Sequence, residues 1–179
     1  DTATTEIYTL TLHDSLPIFD LIVPEREMAF TDGHYGVQTV NLSQQVGDFI
    51  IRRKDGAWAY QLAVVIDDAL MGVTEVVRGR DLLLSSPQQM YVADMLGVSS
   101  PRFCHLPLLC NREGQRLSKR DQSLDMENLR HRYTASQIVG ELACLAGLIP
   151  TPDAISAKEL LPVFSWEKVP KEDIVVGCW

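Results

Sequence analysis

Three side chains suited to chemistry occur in a fixed order along the chain: a phenol, a guanidinium and an ammonium. Tyr60 stands before a long apolar run, Arg78 follows two valines, and Lys119 lies within a short basic loop. That loop consists of Arg116, Leu117, Ser118, Lys119 and Arg120. A guanidinium can bind a carboxylate or a phosphate, and a loop lysine can stabilise charge that develops on a transferred phosphate. The combination points to an enzyme that uses ATP to activate an amino acid.

Each of these side chains also has a less specific interpretation. Arg78 could be a surface arginine paired with Asp81, and Tyr60 could be a packed aromatic with an exposed hydroxyl. The basic loop, together with other arginines between Arg112 and Arg132, could form a solvated helix face of mixed charge. The same stretch could instead meet a polyphosphate or an RNA backbone.

Other polar residues give weaker signals. Asp67 and Asp68 could bind a metal or a substrate amine, but adjacent carboxylates on a helix point in different directions and are more often solvated. His105 lies within an apolar segment and is interpreted as a buried, hydrogen-bonded core histidine. No cysteine and histidine spacing indicates zinc, so we predict no metal site in this chain.

The composition is that of an ordinary globular protein. Of the 179 residues, 46% are hydrophobic and 22% are charged, and the formal net charge is -8. Such a chain is not expected to bind nucleic acid over its whole surface, although a local basic stretch can. No apolar run approaches the roughly 20 residues of a membrane helix. The 4 scattered cysteines lack a CxxC pair, which favours a cytoplasmic protein over a disulfide scaffold.

The first 18 residues differ in character from the remainder. They contain no lysine or arginine, so they do not match a secretory signal. They resemble the translation of a common sequencing adapter, and we expect them not to be native. The genuine chain, from Phe19 onward, is then expected to be the C-terminal part of a longer protein.

Turn and helix signals divide the chain into short elements. Asp-Gly pairs that begin at Asp32 and Asp55 mark turns between short antiparallel strands. Residues 61–71 have the apolar period of a helix that Gly72 ends. A buried strand is predicted over residues 73–78.

Capping signals predict three further helices. Ser86 is expected to cap a helix that runs to Leu96, and Thr134 and Ser156 are expected to cap two more. Between the first and second of these, residues 102–110 are predicted to form one strand, although Pro107 removes a hydrogen-bond donor.

The order of helix, strand, helix, strand and basic loop predicts part of a parallel α/β sheet. Ligands of such sheets bind beyond the carboxyl ends of the strands. Arg78 and the basic loop both follow predicted strands, so we expect both at that edge.

Four ordered segments resemble one family: residues 47–53, 59–68, 76–79 and 117–120 are similar to the second half of the glutamyl-tRNA synthetase catalytic domain, a class I aminoacyl-tRNA synthetase. The resemblance implies an α/β fold, the second half of a Rossmann-like domain at 57–120. It also implies a small antiparallel β segment at 19–56, the end of the acceptor-binding insertion, and a helical C-terminal segment at 121–179.

Within the family the chain resembles most the short glutamyl-Q branch, whose members attach glutamate to the queuosine base of tRNA(Asp). Two segments carry this similarity, Tyr60-Gln61-Leu62-Ala63 and residues 164–170. Two alternatives remain: a fragment of a full glutamyl-tRNA synthetase, and a noncatalytic RNA-binding or regulatory module.

The resemblance also implies roles for single residues. Tyr60 and Arg78 match positions that bind glutamate, Lys119 matches the catalytic lysine that binds ATP, and Ser118 joins it in ATP binding. The implied cosubstrates are ATP with Mg²⁺, and the partners are L-glutamate and tRNA(Asp), with no membrane and a monomeric state. Zinc ligands are expected only in the missing N-terminal half, so the chain as written is not expected to aminoacylate RNA.

Overall fold

The computed structural model describes residues 7–10, 18–117 and 126–177, and for residues 7–10 it describes the backbone alone. Ser118, Lys119 and Arg120 lie outside the described residues. The chain divides into two compact units, the first ending at His105 and the second beginning at Leu106. Each unit is described by itself.

The first unit begins with antiparallel strands, as the turn signals predicted. Strands β1 (Ile7–Leu10), β2 (Ile18–Leu21) and β5 (Phe49–Arg52) form one sheet, with β2 in the middle. Strands β3 (Glu27–Asp32) and β4 (Gly36–Asn41) form a hairpin in which Asp32 pairs with Gly36. A short π-helical turn, Leu42–Val46, joins the hairpin to β5.

Helices and strands alternate in the rest of this unit. Helix α1 (Tyr60–Met71) ends at Gly72, whose left-handed backbone at φ 68° suits glycine. Strand β6 (Glu75–Gly79), a 3-10 turn (Arg80–Leu82), helix α2 (Ser85–Leu96) and strand β7 (Arg102–Leu106) follow in that order. Strands β6 and β7 pair with each other, and helix α2 connects them along the chain.

Three local predictions are wrong in detail. Strand β6 is only partly covered, since the Val77 side chain is 53% exposed and, within the described residues, β6 pairs with β7 alone. Ser86 lies inside helix α2 rather than capping it, because the preceding 3-10 turn leads directly into the helix through Leu84. The predicted strand 102–110 is interrupted at residues 107–108, since Pro107 has no N–H to donate.

One apolar core joins the strands and the helices of the first unit. Leu21 from β2, Val65 from α1 and Val92 from α2 all belong to it. The complete set of its buried members is Leu21, Val23, Met28, Leu42, Val65, Tyr91, Val92 and Ala93. Burial of several large apolar side chains in one cluster holds the strand and helix segments against one another.

The second unit is mainly helical in its described part. Strand β8 (Leu109–Cys110) pairs in parallel with strand β9 (Ile174–Val175). Between them lie α3 (Met126–Arg132), α4 (Ala135–Leu145), α5 (Ala157–Leu160) and a 3-10 turn (Leu161–Val163).

The predicted caps of α4 and α5 are confirmed. Thr134 with Gln137, and Ser156 with Glu159, each form a complete capping box, in which side chain and backbone bond reciprocally. The two caps define where α4 and α5 begin.

Candidate active site

The Arg78 guanidinium is held by acceptors from three parts of the first unit. Its Nε donates to Nε2 of His105 at 3.1 Å, and its Nη1 donates to Oε1 of Gln89 at 2.9 Å. Its Nη2 donates to Oγ of Ser86 at 2.8 Å and to the carbonyl of Leu82 at 3.3 Å. These bonds use four of the five N–H groups that a guanidinium offers. Arg78 is therefore a half-buried, fixed cation and not a mobile surface arginine.

Tyr60, which the family resemblance places with Arg78 at the glutamate site, lies near this guanidinium. It is the first residue of helix α1, its side chain is 53% exposed, and its phenol lies near enough to Arg78 to influence the pKa of the guanidinium. Burial lowers the pKa of Arg78, while the Tyr60 phenol and the nearby charges of Asp68 and Asp81 oppose that shift. The guanidinium stays charged at neutral pH, and the half-exposed phenol is a neighbouring group that a ligand of Arg78 can also reach.

A buried carboxylate and imidazole stand behind Arg78. Oδ2 of Asp32 lies 2.6 Å from Nδ1 of His105, and neither side chain is exposed at all. The histidine is thus a buried, hydrogen-bonded residue, as expected from its apolar neighbours. It also contacts the candidate site directly, a role that the sequence did not indicate.

The Asp32 carboxylate is fixed by the turn that follows it. Its Oδ1 accepts the backbone N–H groups of His34, Tyr35 and His105 at 3.0, 2.9 and 3.3 Å. Burial by itself raises the pKa of Asp32, but these hydrogen bonds and the one to the His105 side chain outweigh burial and lower it below its ordinary value. The carboxylate is therefore ionised at neutral pH.

A chain of amide side chains orients the acceptor that faces Nη1 of Arg78. Gln89 donates through Nε2 to Oε1 of Gln61 at 2.8 Å, which leaves its own Oε1 for the arginine. Gln61 in turn donates to Oε1 of Gln88 at 2.8 Å and to Oγ of Ser85 at 3.1 Å. Because Gln61 follows Tyr60 in helix α1, the network also links α1 to α2.

An aromatic ring completes the surroundings of the guanidinium. The Cζ atom of Arg78 lies 4.9 Å from the centre of the Phe103 ring. That ring stacks on His105 with a centroid distance of 6.3 Å and an interplanar angle of 24°. A cation over a ring face is favoured electrostatically, and an apolar wall strengthens the interaction of the cation with an arriving anion.

Sequence reasoning missed four members of this arrangement: Asp32, Gln61, Ser86 and Gln89. Asp32 was interpreted only as a turn residue, because an Asp-Gly pair is a common turn signal. Ser86 was interpreted as a helix cap. Two available signals were the polar pair Gln88-Gln89 in an otherwise packed helix and the isolated His105 in an apolar strand.

The basic loop is described only at its first residues. Arg116 is exposed and pairs through its backbone with Cys110, and the N–H of Leu117 donates to the carbonyl of Leu109 at 2.9 Å. The loop thus begins as an extended segment that returns after a turn and pairs antiparallel with strand β8. The predicted ATP-binding residues Ser118 and Lys119 lie outside the described part of the chain.

The described residues form neither a metal-binding cluster nor a membrane-spanning helix. Within residues 7–10, 18–117 and 126–177, no three His, Cys, Asp or Glu side chains are placed to hold a metal ion. None of the helices in the described part combines the length and the apolar character needed to cross a membrane.

Comparison with known proteins identifies a family. The family model for the catalytic domain of class I tRNA synthetases (E and Q) matches residues 19–169. The chain is 43% identical over 159 residues to the glutamyl-Q tRNA(Asp) synthetase of Symbiobacterium thermophilum, covering 88% of this chain and 49% of the relative. It is 45% identical over 148 residues to that of Chromobacterium violaceum, covering 82% and 48%. The chain spans about half the length of these curated relatives.

A solved structure shows the same fold. It is a glutamate tRNA ligase from Elizabethkingia meningosepticum in complex with its amino acid, with a TM-score of 0.73 and 24% identity. The match covers 91% of this chain and 36% of that one. The predicted fold class, an α/β fragment of a class I catalytic domain, is confirmed.

Proposed function

Because the chain belongs to the family of class I tRNA synthetases for glutamate and glutamine, which are ligases, we propose that it serves the ATP-dependent activation of glutamate and its transfer to RNA. The observation that carries this proposal is the juxtaposition of Tyr60 with the fixed guanidinium of Arg78. A half-exposed phenol beside a half-buried cation is suited to a carboxylate ligand.

We assign Tyr60 and Arg78 to the binding of glutamate. The carboxylate accepts from the Arg78 guanidinium, and the Tyr60 hydroxyl donates to the same carboxylate. A carboxylate neutralised in this way is a poor nucleophile. The pair therefore suits the carboxylate of glutamate that is not activated, and discriminates against an uncharged amide.

The activated carboxylate reacts with ATP. Its oxygen attacks the α-phosphorus, the bond to the pyrophosphate oxygen breaks, and glutamyl-adenylate and pyrophosphate are formed. We assign Lys119, with Ser118, to the phosphates, where the ammonium stabilises the charge that grows as pyrophosphate leaves. The described residues offer no carboxylate cluster for Mg²⁺, so we assign the ion to the phosphates of ATP.

We propose the queuosine base of tRNA(Asp) as the acceptor. The support is the shared name of the curated relatives, glutamyl-Q tRNA(Asp) synthetase. Residues 19–56 are assigned to the end of the acceptor-binding insertion, in a monomeric, cytosolic enzyme. A second candidate acceptor is tRNA(Glu), favoured by the structural match to a glutamate tRNA ligase. Because the chain as written is not expected to aminoacylate RNA, charging assays of the longer protein expected from the sequence, with tRNA(Asp), with and without queuosine, and with tRNA(Glu), distinguish the two.

The test of the glutamate site is a binding titration of the purified chain. We expect L-glutamate to shift the Arg78 side-chain signal in a ¹⁵N NMR spectrum, and L-glutamine to bind more weakly. Arg78→Ala removes the binding cation, so we expect at least about a tenfold loss of affinity, as for a lost charge-assisted hydrogen bond.

Arg102→Ala is the matched control, because Arg102 ends in an exposed ion pair with Glu75. We expect this variant to bind L-glutamate like the wild type. Equal affinities of wild type and Arg78→Ala would contradict the assignment.

The ATP assignment has a separate test. Equilibrium dialysis with ATP and Mg²⁺ should show weaker binding for Lys119→Ala than for the wild type. Lys158→Ala, on the short helix α5, is the control for loss of one positive charge. If Lys119→Ala retains the ATP affinity of the wild type, the assignment of Lys119 to ATP binding is wrong.

A further inference from the structure

We infer that the buried pair of Asp32 and His105 positions the Arg78 guanidinium by fixing which ring nitrogen of His105 carries the proton. The inference rests on the proposed function, in which Arg78 binds glutamate. Neither Asp32 nor His105 is assigned to contact the substrate, so both are positioning residues.

The direction of the hydrogen bonds settles the tautomer. An arginine Nε can only donate, so Nε2 of His105, 3.1 Å away, must present its lone pair. The proton of the neutral imidazole is then on Nδ1, and it is donated to Oδ2 of Asp32 at 2.6 Å. The guanidinium of Arg78 therefore donates to the imidazole of His105, and the imidazole donates to the carboxylate of Asp32.

The carboxylate end of this chain of bonds has no freedom to rearrange. Oδ1 of Asp32 already accepts three backbone N–H groups, two of them from the turn that follows it. Only Oδ2 is left for the imidazole. Since the side chains of Asp32 and His105 are both fully buried, water does not compete for these positions.

The consequence for the ligand is a guanidinium with a fixed plane. With Nε bound to His105, Nη1 to Gln89 and Nη2 to Ser86 and Leu82, Arg78 keeps its charge and one N–H of Nη1 for a ligand. In the opposite tautomer an N–H of His105 would face the N–H of Arg78. Two donors cannot share that position, so the guanidinium would move and its ligand geometry would be lost.

The substitution Asp32→Asn tests this positioning role, because it replaces one carboxylate oxygen by an NH₂ group and leaves the size of the side chain nearly unchanged. The Asn carbonyl keeps the three backbone N–H groups, which places the amide NH₂ against Nδ1 of His105. Nδ1 must then accept, the proton moves to Nε2, and Arg78 loses its acceptor. An aspartate to asparagine change beside a histidine selects the wrong tautomer in the same way in serine proteases.

The readouts are two NMR signatures and one affinity. Long-range ¹H–¹⁵N spectra of the wild-type chain should show His105 protonated on Nδ1, and those of Asp32→Asn should show it protonated on Nε2. The Nε–H signal of Arg78 should shift and exchange faster with water. The affinity for L-glutamate should fall about tenfold, the loss of one charge-assisted hydrogen bond.

Asp94→Asn is the matched control, since Asp94 forms an exposed ion pair with Arg26 at 3.2 Å. It makes the same chemical change on the surface. We expect it to leave the His105 tautomer, the Arg78 signal and the glutamate affinity unchanged.

The outcomes separate this inference from the proposed function. Finding His105 of the wild type protonated on Nε2 overturns the inference. This measurement needs no variant, so it tests the inference even if Asp32→Asn does not fold. Wild-type glutamate affinity in Asp32→Asn, next to weak binding by Arg78→Ala, overturns the inference alone. Wild-type affinity in Arg78→Ala overturns the proposed function, and the positioning role falls with it.

Discussion

Nε2 of His105 accepts a hydrogen bond from Nε of Arg78 across 3.1 Å, although the two residues are separated by 27 positions in the chain. The pairing of strands β6 and β7 brings them together. Arg78, which the sequence indicates as a substrate-binding residue, and His105, which it indicates as a core residue, are therefore directly hydrogen-bonded to each other.

Replacing Arg78 by lysine keeps the charge but removes the planar set of donors. We expect Arg78→Lys to weaken L-glutamate binding, because one ammonium cannot satisfy His105, Gln89 and Ser86 together. Unsatisfied buried acceptors should also lower the free energy of unfolding by about 1–3 kcal/mol. Calorimetric titration and urea unfolding measure the two effects. Arg102→Lys, at an exposed ion pair, should change neither.

The stability of the first unit should depend on the ionisation of Asp32. Its hydrogen bonds hold the pKa of Asp32 in the folded chain below the ordinary value of an aspartate, so the carboxylate contributes its full stability above that ordinary value. That contribution is lost as the pH falls through the lower, folded value. Urea unfolding from neutral to acidic pH should show this loss in the wild type and a smaller one in Asp32→Asn. An identical acid dependence in both chains contradicts the prediction.

The thiol of Cys104 should react slowly with alkylating reagents. Burial, together with the nearby charges of Asp32 and Glu75, raises its pKa to about 11. The reactive thiolate is therefore scarce at neutral pH. Iodoacetamide labelling followed by mass spectrometry should modify the less buried Cys144 first. Faster labelling of Cys104 than of Cys144 in the folded chain is the contrary result.

A methyl group at Gly140 should disrupt the second unit. A Cβ atom placed there would overlap with the backbone carbonyl oxygen of Asp153, which cannot move as a side chain could. We expect Gly140→Ala to lower the free energy of unfolding by about 1–3 kcal/mol, the usual cost of overpacking.

Gly114→Ala is the comparison for that experiment. Its Cβ would meet nothing within 4 Å, but its φ of +75° disfavours alanine. A cost of about 1 kcal/mol from backbone strain alone is expected. If Gly140→Ala is no more destabilising than Gly114→Ala in urea unfolding, the close approach to Asp153 is not a constraint.

Features defined by neighbours in the chain were predicted correctly. The apolar period of residues 61–71 and Gly72 predicted helix α1, and the capping boxes at Thr134 and Ser156 predicted where α4 and α5 begin. These signals are local because helix hydrogen bonds and caps join residues three or four positions apart. The binding of glutamate by Tyr60 and Arg78 stays a prediction from the family motifs.

The sequence by itself therefore determined the family, helix α1, and the starts of α4 and α5. Only the tertiary structure decided how Arg78 is held. Asp32 and His105 are 73 residues apart, and Ser86 binds Arg78 instead of capping a helix. The physical reason is that these polar atoms come within hydrogen-bond distance only after a hairpin turn, a helix and a strand have packed on one core. The neighbours of each residue in the chain indicate only a turn, a cap or a core position, so no local pattern predicts these hydrogen bonds.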